Sequence, residues 1–302
     1  MFPDHSWPDH TGTVRTLSEL QGRDPLILLL ARGNYCPKHR RIDEALEAGT
    51  GIVSLFWGDP VGYVEHVHDA NGVVLQTVGS AEEARRAAAS GVDVVVAQGW
   101  EAGGHVRGQV ATLPWVPAVV DAVAPVPVIA AGGIGDARGV AAVLALGAQA
   151  AWLGTRFLLA QEMPIHQEYR RRLMDAAETD AQWYANLYGA GWPDAPHRAI
   201  RNSTAEMWEA AGRPPPGEST GRGRCHRALA SGESILRYEP AAPMVGTTAG
   251  IQALSLWAGQ RVALARQPQP AAEIVAELVS SLVTRAAPPS RANNCVRATM
   301  PA

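Results

Sequence analysis

A chain of 302 residues, 47% hydrophobic and 18% charged, can bury a large core in one α/β barrel or in two ordinary domains. Its net charge of -3, from 26 Lys and Arg scattered among 29 Asp and Glu, offers no basic field and excludes nucleic acid as a partner. No apolar run approaches the roughly 20 residues of a membrane span, the start MFPDHSWPDH has no signal-peptide pattern, and Cys36, Cys225 and Cys295 lie too far apart for a metal set, so a soluble cytoplasmic protein is expected.

Short apolar runs alternate with Ala-rich helical runs from residue 25 onward. PLILLLA (25–31) precedes a helical stretch around RRIDEALEAG, and GIVSLFW (51–57) precedes PVGYVEHVHDA. GVVLQTV (72–78) precedes SAEEARRAAASG, where Ser80 reads as an N-cap, Glu83 stands at the capping-box spacing and Gly91 closes the helix. The beat continues through VDVVVAQ (92–98), PVPVIAA (125–131) and AQAAWLG (148–154). Six such units predict a parallel sheet with both faces covered by helices.

The turns after these strands narrow the choice to a barrel. In a TIM barrel the site lies at the carboxyl ends of the strands, with phosphate held by the loops after the last two. Here those loops are AAGGIGDARG (130–139) and WLGTRF (152–157), whose glycines let backbone N–H groups approach an anion and whose following helices add a favourable dipole. That is the expected shape of an FMN phosphate site. The fourth strand runs instead into GWEAGGHVRG and presents His105 among four glycines. His66 and His68 in HVHDA do not share a helical face, so solvent exposure is expected there, and no metal site.

From about residue 162 the texture changes. MPIHQEYRRRLMDAAETDAQWYANL is helical in character, the stretch around GWPDAPHRAIRNS is loop-rich, and TAGIQALSLWAGQRVAL and AAEIVAELVSSLV read as two terminal helices. The tail lacks apolar periodicity and reads as disordered.

Three of these segments, AQGWEAGGHVRG, PVIAAGGIGDARGVAAVLALGA and WLGTRFLLAQE, resemble the signature segments of the nitronate monooxygenase family, FMN-dependent TIM-barrel enzymes formerly called 2-nitropropane dioxygenases. The similarity runs from about Arg15 to about Val283 and includes FWGDP, GWPDAPHRAIRNS and LWAGQ. The resemblance implies that Gln76 and Gln98 contact the flavin, that Gly103 and Gly104 let the backbone pass close to it, and that Gly132 and Gly133, with Trp152, Leu153, Gly154 and Thr155, hold the phosphate. It places His105 over the reactive ring and the substrate, as a base or a charged hydrogen-bond donor to an anion. Glu101 orders the turn, and Trp57 and Trp152 border the flavin.

The sequence departs from the family in three places. The two strands with which the family opens, ending in a Pro-Met turn and in a GGLG-like stretch, are not visible. The fold expected is therefore an α/β, TIM (β/α)8-type barrel lacking its first two βα units, with a mostly helical C-terminal cap. Its open edges are covered by the N-terminal segment, paired in a homodimer, or left in a product that binds flavin poorly. Leu29 takes the place of a family asparagine in the first visible strand, and Arg261 replaces the serine of AGQS near the expected substrate region. On this reading residues 1–161 form a partial FMN-binding barrel, 162–287 a helical cap with terminal helices, and 288–302 a disordered tail. The function implied is oxidation of small alkyl nitronates, or of nitroalkanes after proton removal, by O2. The alternatives are an FMN-dependent NAD(P)H reductase of the enoyl-ACP or quinone reductase type, and a noncatalytic remnant.

Overall fold

The computed structural model describes residues 38–189, 194–215, 218 and 234–286, together with the strand segments 6–8, 14–16, 29–32 and 225–227. In chain order the strands are β1 (Ser6–Pro8), β2 (Val14–Thr16), β3 (Leu29–Arg32), β4 (Ile52–Phe56), β5 (Val73–Val78), β6 (Val94–Gln98), β7 (Gly104–His105), β8 (Val128–Ala131), β9 (Ala150–Trp152), β10 (Ala181–Tyr184), β11 (His197–Ile200), β12 (Cys225–Arg227) and β13 (Ser234–Leu236). Each of the six apolar runs expected as strands contains a strand, the first of them described from Leu29 onward. They form one sheet in the spatial order β3-β4-β5-β6-β8-β9, parallel at every pairing.

Helices Lys38–Glu47, Val61–Asp69, Ala81–Ala89, Thr112–Val123 and Ala137–Ala145 connect these strands. Their ends follow from local chemistry. Ser80 accepts a hydrogen bond from Glu83 N at 3.1 Å, the Glu83 carboxylate reaches back to Gly79 N at 2.8 Å, and Gly91 at φ +87° closes the helix. Asp136 caps the Ala137–Ala145 helix by accepting from Arg138 N and Gly139 N.

Both faces of the sheet are apolar because both are covered. Val53, Leu55, Val74, Val95, Ala97 and Val128 pack outward against Val64, Val67, Ala84, Trp115 and Val119 of the helices. Ile52, Val73, Leu75, Val94, Val96 and Ala131 form the opposite, inner face. The architecture is α/β with the parallel sheet and outer helices of a TIM-type barrel. Among the described residues the sheet has six strands, and neither β3 nor β9 has a second partner in it.

After β9 the chain differs from its helical reading in two places. The helix Gln167–Asp175 stops early and gives way to β10, which pairs antiparallel with β11, and β11 in turn pairs with β7. The run TAGIQALSLWAGQRVAL is two single 3-10 turns, Ile251–Ala253 and Val262–Leu264, not a helix. Gly250, third in this run, sits at φ +68°, a left-handed conformation that an α-helix does not contain. AAEIVAELVSSLV does form a helix, Ala271–Ala286, which docks Ile274 and Leu278 against Val140 and Val143. The tail 288–302 lies outside the described residues. Among those described, no helix is long and apolar enough to cross a membrane.

Candidate functional site

At the carboxyl ends of the parallel strands the inner face opens into a cavity of about 380 Å3. Phe56, Thr77, Gln98, Ala131 and Trp152 line it from the ends of β4, β5, β6, β8 and β9. The loops that follow β6, β8 and β9 complete the wall, joined by Trp257, Gly259 and Arg261 from the C-terminal region.

The turn between β6 and β7 is braced from three sides. The Glu101 carboxylate accepts from Thr112 N and Oγ1, both at 2.9 Å, and so anchors the turn to the start of the next helix. Arg198, 2% exposed, donates to Trp100 O at 2.8 Å and to Ala102 O at 3.2 Å, and also to Ala181 O at 3.1 Å. Burial lowers its pKa, and the charge of Glu101 opposes that. Gln98 spends both ends of its carboxamide on the backbone, donating to His105 O at 3.0 Å and accepting from Arg107 N at 3.1 Å. Beneath the turn, Gly103 meets Gly259 backbone to backbone. A Cβ on Gly103 would lie 2.4 Å from Ala258 C and Gly259 N, so no larger residue fits.

These braces fix His105, which is half-buried in an aromatic surround. Its ring centroid lies 5.6 Å from that of Trp257, 6.0 Å from that of His197 and 6.2 Å, edge-on, from that of Trp57. Trp57 holds this position at φ +68°, a backbone conformation costly for an aromatic residue. His197 is the cross-strand partner of His105 and is fully buried. Its Nδ1 donates to Ala195 O at 3.0 Å and its Nε2 accepts from Tyr188 N at 3.1 Å, which fixes a neutral ring. Burial pushes its pKa down to about 4, against the smaller upward pull of the Ala195 carbonyl.

On the far side of the cavity the two glycine turns meet. Gly132, at φ +87°, packs so closely on the β6 turn that a Cβ would lie 2.8 Å from Gly99 O. A Cβ on Gly154 would instead meet open space. The Thr155 hydroxyl accepts from Gly259 N at 2.9 Å, which leaves its own proton to donate. Arg261 Nε donates to Gly133 O at 2.9 Å. The expected helix dipoles are weaker than the sequence suggested. Asp136 already caps the helix after β8, and a five-residue 3-10 turn follows β9.

Of the residues singled out in the sequence, His105, Gln98, Gly103, Gly104, Gly132, Gly133, Trp152, Gly154 and Thr155 all line this cavity. Gln76 does not. Its place in β5 turns it to the helix-facing side, where it is 5% exposed with Oε1 unpartnered, and Thr77 takes the cavity position instead. Leu153 likewise packs into the apolar cluster around the Ala137–Ala145 and Ala271–Ala286 helices. Trp57 borders His105 rather than the cavity wall. His66 and His68 pair separately, with Asp43 and with Asp93, and no metal-binding cluster forms among the described residues. The side chain of Leu29 lies outside the described residues. Sequence reading missed His197 and Arg198, which reach the site only through the pairing of β11 with β7.

Comparison with known proteins gives consistent results. The profile of the nitronate monooxygenase family matches residues 26–281. A nitronate monooxygenase of Paraburkholderia phytofirmans is 35% identical over 247 residues, 78% of this chain and 62% of that protein. A dehydrogenase of Mycobacterium tuberculosis named for an indene-carboxyl-CoA substrate is 35% identical over 175 residues, 57% of this chain and 48% of that protein. The chain spans about half the length of three curated relatives it matches, between 42% and 48%. Among solved structures, FabK from Thermotoga maritima aligns with a TM-score of 0.73 at 26% identity, covering 89% of this chain and 79% of that one. The nitroalkane oxidase of Streptomyces ansochromogenes aligns with a TM-score of 0.64 at 30% identity, covering 82% and 69%.

Proposed function

The chain belongs to the nitronate monooxygenase family, and on that premise we propose that it is an FMN-dependent oxidoreductase that oxidises small alkyl nitronates with O2. The observation that carries this reading is His105, fixed on a braced glycine turn at the edge of a cavity lined by strand ends. The residues present fit the cofactor. The cavity falls within the roughly 300–1,000 Å3 of small-molecule sites, and the space in front of Gly104 and Gly154, where a side chain would project, is free. Gly132, Gly133, Gly154 and Thr155 would hold its phosphate through N–H groups and a hydroxyl, and Trp152 would flank the ring. The chemistry that FMN would supply there is electron transfer between the substrate and O2.

The protein's own part is binding and proton control. A nitronate is already an anion, and the His105 ring is placed to hold it by a hydrogen bond. Toward a neutral nitroalkane the same ring would first remove the α-proton. The neutral, buried His197 behind it adds no second positive charge and keeps the pair from repelling. Trp57 and Trp257 border the ring on two sides.

A second reading has support from the relatives. Relatives named as CoA-thioester dehydrogenases and the fold match to FabK favour a reductase acting on a carrier thioester with a nicotinamide donor. Anaerobic mixing separates the two. Bleaching of the bound flavin by a nitronate but not by NADH or NADPH is the expected result, and bleaching by the nicotinamide alone would favour the reductase. A colourless protein that takes up no flavin would mark a noncatalytic fold. His105→Ala should lower nitronate turnover about 10²-fold or more and leave the flavin spectrum unchanged. Equal turnover would remove His105 from the chemistry.

A further inference from the structure

Arg261, expected near the substrate region, lines the cavity beside the Gly133 turn. Among the described residues that line the cavity, three carry ionisable side chains: Glu101, His105 and Arg261. The Glu101 carboxylate is committed to Thr112, and His105 faces the aromatic cluster around Trp257. Arg261 is the permanent cation of the set. Its Nε is tied to Gly133 O at 2.9 Å, which lays the guanidinium along the rim of the glycine turn, while no hydrogen bond or ion pair among the described residues engages its two terminal nitrogens.

The same segment reaches the second glycine loop. Gly259 N donates to Thr155 Oγ1, and Gln260 N donates to Glu101 O at 3.0 Å. Residues 259–261 thus pin the β9 loop, the β8 turn and the β6 turn to one another, and the Arg261 guanidinium lies against the second of these through Gly133 O. A fork of unused N–H donors beside a glycine turn and a hydroxyl suits a phosphate monoester, which carries two charges and three acceptor oxygens.

We propose that Arg261 is a phosphate-binding residue, closing on the terminal phosphate of the flavin mononucleotide together with the Thr155 hydroxyl, and that it sets a preference for FMN over riboflavin. This rests on the FMN reading given above. Because Arg261 is exposed, the contribution is screened by salt. The preference for the phosphorylated flavin therefore declines as ionic strength rises.

The test is titration of flavin-free protein with FMN and, separately, with riboflavin, followed by quenching of flavin fluorescence. Arg261→Gln should raise the FMN dissociation constant about tenfold or more and leave that of riboflavin within about twofold, with the melting temperature of the flavin-free protein unchanged. Arg261→Lys, which keeps the charge and loses the fork, should fall between. FMN binding as tight in Arg261→Gln as in the wild type overturns the assignment. Equal weakening toward both flavins, with a lowered melting temperature, also overturns it and makes Arg261 a brace for the Gly133 turn. Wild-type protein that binds neither flavin overturns the cofactor reading itself, an outcome distinct from the other two.

Discussion

Arg198 shows how far a single side chain can reach across this fold. Its guanidinium ends on the carbonyls of Trp100, Ala102 and Ala181, none of them a carboxylate, and lies over the Trp100 ring at 5.3 Å. Arg198→Met keeps the length of the side chain but leaves three buried acceptors unpaired, each worth roughly 1–3 kcal/mol. The urea midpoint should fall sharply, by the equivalent of several kcal/mol on that scale, and Arg198→Lys should fall between. An unchanged midpoint would mean that water replaces the guanidinium without loss. Nothing near PHRAIRNS marks this residue for burial. Two of its three partners, Trp100 and Ala102, lie 98 and 96 positions upstream, and the register Arg198↔Gly104 brings them together. His105 was legible for the opposite reason: its setting, a glycine turn at a strand end, is local.

At the scale of elements, the strands were readable and their phase was not. VVLQTV is buried on both faces, so it lacks the alternation that would tell which way Gln76 points, and reading both glutamines as inward contacts ignored a pleat the composition conceals. The β7–β11 pair carries a consequence for acid stability. His197 has its pKa lowered to about 4 in the fold by burial, whereas in the unfolded chain it titrates near its ordinary 6.5. Between those values the unfolded state binds the extra proton, so stability is full above about pH 6.5 and declines as pH falls toward 4, by about 3 kcal/mol if this residue acted alone. Urea midpoints at pH 7 and pH 4.5 should differ less in His197→Gln than in the wild type. Identical pH dependence in both would place the acid sensitivity elsewhere. The run 248–264 misled because its apolar residues have a helical density, while the left-handed Gly250 near its start was passed over.

Across the whole molecule, the described sheet is an arc of six strands, and no described residue before Phe56 lines the cavity. The end proposed for the phosphate is lined by the loops after β8 and β9 and by the 259–261 segment, and the strand ends of β4, β5, β6, β8 and β9 line the rest of the described wall. The close meeting of Gly103 with Gly259 also has a temporal meaning, because these residues are separated by about half the chain. All six strands and the turn bearing His105 leave the ribosome well before Gly259 is added. The floor of the pocket is thus translated after the sheet that it closes, and a nascent chain stalled short of that glycine would display the described sheet with its cavity still floorless.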